Sequence, residues 1–283
     1  MLKLSEYYKT IADNLKVKYP VNEAQAIARF YICETLNLND IEFFTRSGEF
    51  LNDKESELLK SKEERLYNME PVQYVTGYAY FSGLKFKVNP DVLIPRQETE
   101  ILVNEVIKNH KTEKNLNIID IGTGSGCIAV SLGKNLPDAR VYGIDISENA
   151  IKTAGENARL NNTESDFYIY DIFSENDFPL RQKFDVIVSN PPYITESEKK
   201  NMSNNVLKYE PPKTLFVPDT NPLIYYDGIF KLSKKIGYRK LKIYFEINEK
   251  FGNKLSILAN QHGFNRIEII KDLNNKYRVV SCE

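Results

Sequence analysis

The chain has 283 residues, 38 basic and 39 acidic, a net charge of -1 and 42% apolar content. That length suits about two domains with a sizeable buried core, and the balanced charge argues against a protein dedicated to binding a polyanion. Cys33, Cys127 and Cys282 form no CxxC pair, and His110 and His262 lie far apart, which argues against a disulfide framework, a zinc ribbon, a local metal pair or histidine acid–base chemistry. The opening MLKLSEYYKT lacks the charged and apolar regions of a secretory leader. No apolar run approaches the roughly 20 residues of a membrane span, so a cytoplasmic protein is expected.

The first 70 residues read as helical. Leu4, Tyr7, Tyr8, Ile11 and Leu15 recur at three- and four-residue steps. Asn22 is the expected N-cap of a second helix carrying Ala26, Ile27, Phe30 and Tyr31, and residues 52–69 form a third, charged helix with Leu58, Leu59, Leu66 and Tyr67. From Pro71 apolar and polar residues alternate around Ser82-Gly83, which predicts a β-hairpin linker over residues 71–96. Beyond it helices and strands alternate. Helices are predicted over 98–109, 127–136, 148–161, 223–236 and 250–261. Strands are predicted over 116–121, 139–144, 166–170, 184–189, 242–247, 266–270 and 277–281. The expected fold is α/β, with a mainly parallel sheet covered by helices on both faces. The expected domains are residues 1–70, the linker 71–96, and 97–283. Ligands of such sheets sit at the carboxyl ends of the strands, near the switch point.

The first strand of the α/β part runs into Asp120-Ile121-Gly122-Thr123-Gly124-Ser125-Gly126 and then a helix. Glycines let the backbone pass close to a ligand. The spacing is G-x-G-x-G, with Cys127 where a dinucleotide fingerprint needs its last glycine, and no Gly-Lys-Ser/Thr follows. A nucleoside ligand without a pyrophosphate therefore fits better than NAD or ATP. Asp145 ends the second strand 19 residues beyond Gly126, where an acid accepts hydrogen bonds from both ribose hydroxyls.

The strand VIVSN leads into Asn190-Pro191-Pro192-Tyr193. Two prolines fix φ and remove two backbone donors. What remains is a stiff row of acceptors, the Asn190 side-chain carbonyl and the Pro191 carbonyl, which suits a substrate offering an NH2 group. Tyr193 adds a flat face for a planar amide or base.

Together DIGTGSG, the acid on strand two and NPPY resemble the class I methyltransferases that act on planar nitrogen with S-adenosyl-L-methionine. Three further stretches are similar to those of the protein-(glutamine-N5) methyltransferases of peptide chain release factors, the PrmC or HemK family. They are 70–77 (EPVQYVTG), 92–100 (VLIPRQETE), and Tyr209-Glu210-Pro211-Pro212 with the late KDL and RVV segments. The resemblance covers residues 70–283 by motif and the helical N-terminus by architecture. It implies a Rossmann-like, seven-stranded sheet and methyl transfer to the glutamine of the release factors' Gly-Gly-Gln motif, with S-adenosyl-L-homocysteine as product. It also implies that Gly122, Thr123, Gly124, Ser125, Gly126, Asp145, Asp171, Ile172 and Asn190 bind the cofactor. Asn190, Pro191 and Tyr193 are the expected catalytic group, and Pro192 and Arg96 join them in substrate binding. Arg96 has an equally good reading as an ion-pair partner holding the linker.

The chain departs from the family's pattern at Gln97, where proline is common, and at Glu246-Ile247-Asn248, where Glu-Ile-Gly is common. It also has Ile172, with Phe173 next, where an aromatic usually follows the strand-three acid. Glu246 is read as a strand-end acid without a catalytic role. A DNA amino-methyltransferase shares NPPY but would need a recognition domain and a basic cleft, and a non-catalytic cofactor-binding module would not need NPPY at all. The helical N-terminus is the expected reader of the protein partner. No metal, nucleic-acid partner or membrane is expected, and a monomer is.

Overall fold

The computed structural model describes residues 2–283; Met1, the first residue of the N-terminal stretch read above, lies outside them. The chain forms two compact units. One runs up to Tyr78 and also holds Ser203–Tyr209; the other comprises Ala79–Met202 and Glu210–Glu283.

The first unit is helical. Helix α1 (Leu4–Leu15) buries Leu4, Tyr7, Ile11 and Leu15, the stripe expected from their spacing. Helix α2 (Val21–Leu36) begins two residues before the predicted start: Pro20 is its N-cap and Asn22 lies inside its first turn. Proline's fixed φ suits a helix entry, and the Pro20 carbonyl already accepts from the Ala24 amide at 2.9 Å. The buried face is Ala24, Ala28, Tyr31, Ile32 and Cys33; of the four residues expected on this helix Tyr31 is buried, Ile27 and Phe30 pack half-buried against the same core, and Ala26 is exposed. Short α3 (Asp40–Thr45) had no periodic signal. It is followed by α4 (Asp53–Tyr67), where Asn52 and Glu55 cap each other: Asn52 Oδ1 accepts from the Glu55 amide at 2.9 Å, and Glu55 Oε2 from the Asn52 amide at 3.1 Å. Tyr31, fully buried, donates its phenol proton to the Leu59 carbonyl, tying α2 to α4. Residues Val72–Thr76, expected to be extended, form helix α5. Pro71 caps its start, and Gly77 ends it at φ 87° with its amide on the Gln73 carbonyl at 2.7 Å.

Strands β1 (Tyr78–Phe81) and β2 (Leu84–Lys87) make the predicted hairpin, with Ser82 and Gly83 both at positive φ, 49° and 73°. Along the second unit follow α6 (Thr99–His110), β3 (Asn117–Ile121), α7 (Cys127–Asn135), β4 (Arg140–Asp145), α8 (Glu148–Leu160), β5 (Asp166–Ile169) and β6 (Phe184–Ser189). Two-residue β7 (Ile194–Thr195) precedes α9 (Asn204–Tyr209), which belongs to the first unit, and β8 (Phe216–Val217) then pairs with β7. The chain closes with α10 (Ile224–Ile236), β9 (Gly237–Glu246), α11 (Gly252–Gln261), β10 (Ile267–Lys271) and β11 (Tyr277–Cys282).

The sheet has seven strands in the order β10-β11-β9-β6-β3-β4-β5. Pairs β3–β4, β3–β6, β4–β5 and β6–β9 are parallel; β11 runs antiparallel to both β9 and β10. Adjacent residues point to opposite faces. Thus Ile118 packs into a core with Leu102, Val106 and Ile128, while Ile119 packs into another with Tyr226, Phe230 and Leu255. Both layers are buried, which is why β3 carries isoleucine toward both faces, Ile118 on one and Ile119 and Ile121 on the other. The expected α/β class, seven strands and mainly parallel pairing are all observed.

Candidate active site

In the sheet order β6, β3, β4, β5 lie side by side. The glycine loop leaves β3, Asp145 ends β4, Asp171 follows β5 and Asn190 follows β6. All four therefore come to one edge, the carboxyl ends of parallel strands, where β3 has its neighbours on either side and the crevice of such folds opens.

The loop is shaped by backbone, not by packing against large side chains. Gly124 has φ 53° and Gly126 φ 78°, the left-handed region that disfavours a Cβ. At Gly126 an added Cβ would also lie 2.9 Å from the Ala154 Cβ, so α7 can start this close to α8 only without a side chain there. Beneath the loop Asn157, fully buried on α8, donates through Nδ2 to the Ser125 carbonyl at 2.8 Å and the Lys87 carbonyl at 2.9 Å, and accepts from the Lys87 amide at 2.7 Å. One carboxamide thereby fastens the glycine loop to hairpin strand β2. Asp120, at the loop's root, is fully buried and accepts from Thr123 Oγ1 at 2.6 Å. Burial pushes its carboxyl up to about 7, against the pull of the Thr123 hydroxyl and the Ala129 amide, and Asp145 adds a smaller upward push.

Asp145 is held at both oxygens: Oδ2 accepts from the Gly124 amide and Oδ1 from the Ser147 amide, each at 2.9 Å. Burial raises its pKa, while the Ser147, Gly124 and Ile146 amides counteract. A carboxylate so fixed retains a further lone pair on each oxygen, the acceptor pair a vicinal diol requires. Past β5, Asp171 Oδ1 accepts from the Phe173 amide at 2.9 Å. Ile172 and Phe173 both border Gly228 of α10, where an added Cβ would meet the Phe173 ring at 2.8 Å and Ile172 Cδ1 at 3.2 Å. Phe173 keeps about half of its surface exposed and tilts against Tyr225.

Asn190 and Pro191 continue directly from β6; Pro191 is buried, and Asn190, Pro192 and Tyr193 are half-buried. Asn190 donates through Nδ2 to Thr99 Oγ1 at 3.1 Å. Thr99 in turn donates to Glu246 Oε2 at 2.6 Å, and Tyr193 donates its phenol proton to Glu246 Oε1 at 2.9 Å. The sequence singled out neither Thr99 as functional nor Glu246 as more than a strand end; the available hint was an acid closing the apolar run of β9. Glu246 is almost wholly buried, and burial raises its pKa against the hydrogen bonds from Thr99 and Tyr193 and the charge of Arg278. Tyr193 is driven well above its ordinary value, first by burial and then by Glu246. The Arg96 side chain pairs with the buried Glu210 carboxylate at 2.5 Å, while its backbone carbonyl accepts from the Thr99 amide at 3.1 Å.

Residues 6–77 match the PrmC N-terminal domain, and residues 97–213 the methyltransferase small domain. The release factor glutamine methyltransferase of Bacteroides thetaiotaomicron is 39% identical over 96% of this chain and 97% of its own. That of Flavobacterium psychrophilum is 44% identical over 80% of this chain and 78% of its own. A solved methyltransferase from Pyrococcus furiosus superposes with a TM-score of 0.50 at 14% identity, covering 79% of this chain and 98% of that one, a likeness of fold alone. With matches running through both its helical and its α/β parts, the chain belongs to the release factor glutamine methyltransferase family.

Proposed function

We propose that this methyltransferase moves a methyl group from S-adenosyl-L-methionine to the side-chain amide nitrogen, N5, of the glutamine in the Gly-Gly-Gln motif of peptide chain release factors. The observation that carries this reading is the orientation of Asn190. With Nδ2 given to Thr99, its Oδ1 is the end left to accept, next to the carbonyl of Pro191.

The residues fit the cofactor. Asp145 offers a preset acceptor pair to a ribose, residues 122–126 supply a loop without bulk, and Asp171 and Ile172 stand at the neighbouring strand end. When bound, the cofactor supplies an electrophilic methyl group on a sulfonium. The chain's own task is to make the amide nitrogen, a weak nucleophile whose lone pair is delocalised, meet that methyl ahead of the more basic oxygen. Asn190 Oδ1 and the Pro191 carbonyl accept the two amide hydrogens, Pro192 stiffens the turn, and the Tyr193 ring packs on the amide plane. Orientation of this kind is worth about 7–11 kcal/mol in favourable cases. Acceptors fixed beforehand need little reorganisation as positive charge grows on nitrogen. No base is required, because the alkylated amide is acidic and releases its proton to water. Residues 1–70 serve as the partner-recognition domain, 71–96 as the linker and 97–283 as the methyltransferase domain, with Arg96 seating the substrate segment.

The test is transfer from tritiated cofactor to a purified release factor, followed by mass spectrometry of the glutamine peptide. Asn190→Ala is expected to leave only a small residual rate of transfer, with cofactor affinity largely kept. Near-normal kcat in that variant, or label entering DNA and not the release factor, would overturn the reading.

A further inference from the structure

We propose that Thr99 and Glu246 are positioning residues that fix which end of the Asn190 carboxamide faces the substrate. The inference rests on the reading above, in which Asn190 accepts from the substrate amide.

The argument follows from counting protons. A carboxamide has one end that only donates and one that only accepts, nearly identical in shape. Packing alone therefore does not choose between them; a hydrogen-bond partner must. Thr99 has a single hydroxyl proton, and the short 2.6 Å contact commits it to Glu246 Oε2. With that proton spent, Oγ1 is left as an acceptor toward Asn190, and only Nδ2 can satisfy it, at 3.1 Å. Reversing the amide would set Oδ1 against the hydroxyl oxygen and turn two N–H donors toward the substrate's own NH2. Glu246 is thus the origin of the direction, because its Oε2 accepts the Thr99 proton and so leaves Oγ1 free only to accept. Tyr193 donates to its other oxygen at 2.9 Å, so both oxygens receive protons and neither has to supply one. Arg278 on β11 provides the opposing charge, Glu98 before α6 works the other way, and Tyr226 of α10 is occupied with the Glu246 backbone carbonyl at 3.0 Å. The relay joins three chain segments, the start of α6, the turn after β6 and the end of β9.

Thr99→Val keeps the shape and removes the hydroxyl; Thr99→Ser keeps the hydroxyl. Measured by single-turnover transfer to a release factor, Thr99→Val is expected to slow the methyl-transfer step about tenfold or more, with cofactor Kd unchanged and Thr99→Ser close to wild type. In an Asn190→Ala background Thr99→Val should remove nothing further from the residual rate, since its effect passes through Asn190. Unchanged transfer in Thr99→Val, failure of Thr99→Ser to restore it, or an equal loss in both backgrounds would overturn the proposal. If Thr99→Val does not fold, Glu246→Gln carries the same test, because a carboxamide accepts at one end only and cannot take both hydroxyl protons. Should Asn190→Ala itself retain activity, the clamp reading fails, and the two failures are told apart.

Discussion

Replacing Asp120 with asparagine isolates the electrostatic cost of the acid beneath the glycine loop. In the unfolded chain this carboxyl titrates near its ordinary 3.8; in the folded protein burial moves it to about 7. The folded state therefore holds the proton more tightly. Below pH 3.8 the group is neutral in both states and costs nothing. As pH rises toward 7 the unfolded chain ionises while the folded one does not, and stability falls by about 1.4 kcal/mol per pH unit from this group. Above 7 the loss levels off at about 4 kcal/mol. The carboxamide of the Asp120→Asn variant cannot ionise, and its Oδ1 still accepts from Thr123. Urea unfolding of both proteins from about pH 5 to about pH 8 should show the variant gaining about 2–3 kcal/mol on the wild type across that interval. Any fixed cost of the new amide displaces the curve without tilting it, and titrating groups that do not interact with Asp120 cancel in the difference. Parallel stability curves for the two proteins would refute the assignment of a buried, proton-holding carboxyl at this position.

Asp145→Ala should raise the S-adenosyl-L-methionine Kd about tenfold or more, since hydrogen bonds to a charged group are worth about 1.5–3 kcal/mol each; an unchanged Kd by calorimetry removes Asp145 from cofactor binding. Asn157→Ala strands the Lys87 amide and the Lys87 and Ser125 carbonyls at once. It should cost about 3 kcal/mol of unfolding free energy, and a loss below about 1 kcal/mol would mean that water replaces the carboxamide.

The parts of the fold visible in the sequence are those whose signal is local. Strand β3 sets Ile118, Ile119 and Ile121 just ahead of the glycines, and β4 ends in an acid at a fixed distance, so the loop and Asp145 could be placed by spacing. The face of α2 could be placed only in part: Ile27, Phe30 and Tyr31 do pack on the core, but small residues, Ala24 and Ala28, take fully buried positions that carry no strong apolar signal. Helices α3 and α5, of six and five residues, are too short for a period to register. NPPY announced a stiff row of acceptors but not what orients Asn190: its partner Thr99 lies 91 residues earlier, and Thr99 meets Glu246 across 147. The phenol of Tyr193 finds its acceptor 53 residues away, again beyond any rule of spacing.

The placement of Ser203–Tyr209 with the helical unit means that the backbone passes between the two units three times, after residues 78, 202 and 209. An isolated catalytic fragment therefore cannot be made by a single cut. A protein starting at Ala79 would keep a seven-residue excursion whose Tyr209 hydroxyl had lost the Asn68 carbonyl, at 2.8 Å in the intact chain. That excursion begins soon after Tyr193 in the chain and ends beside Glu210, the partner of Arg96. Trimming the N-terminal helices would leave residues 203–209 without the unit they belong to, so the larger unit is by its threading a dependent one.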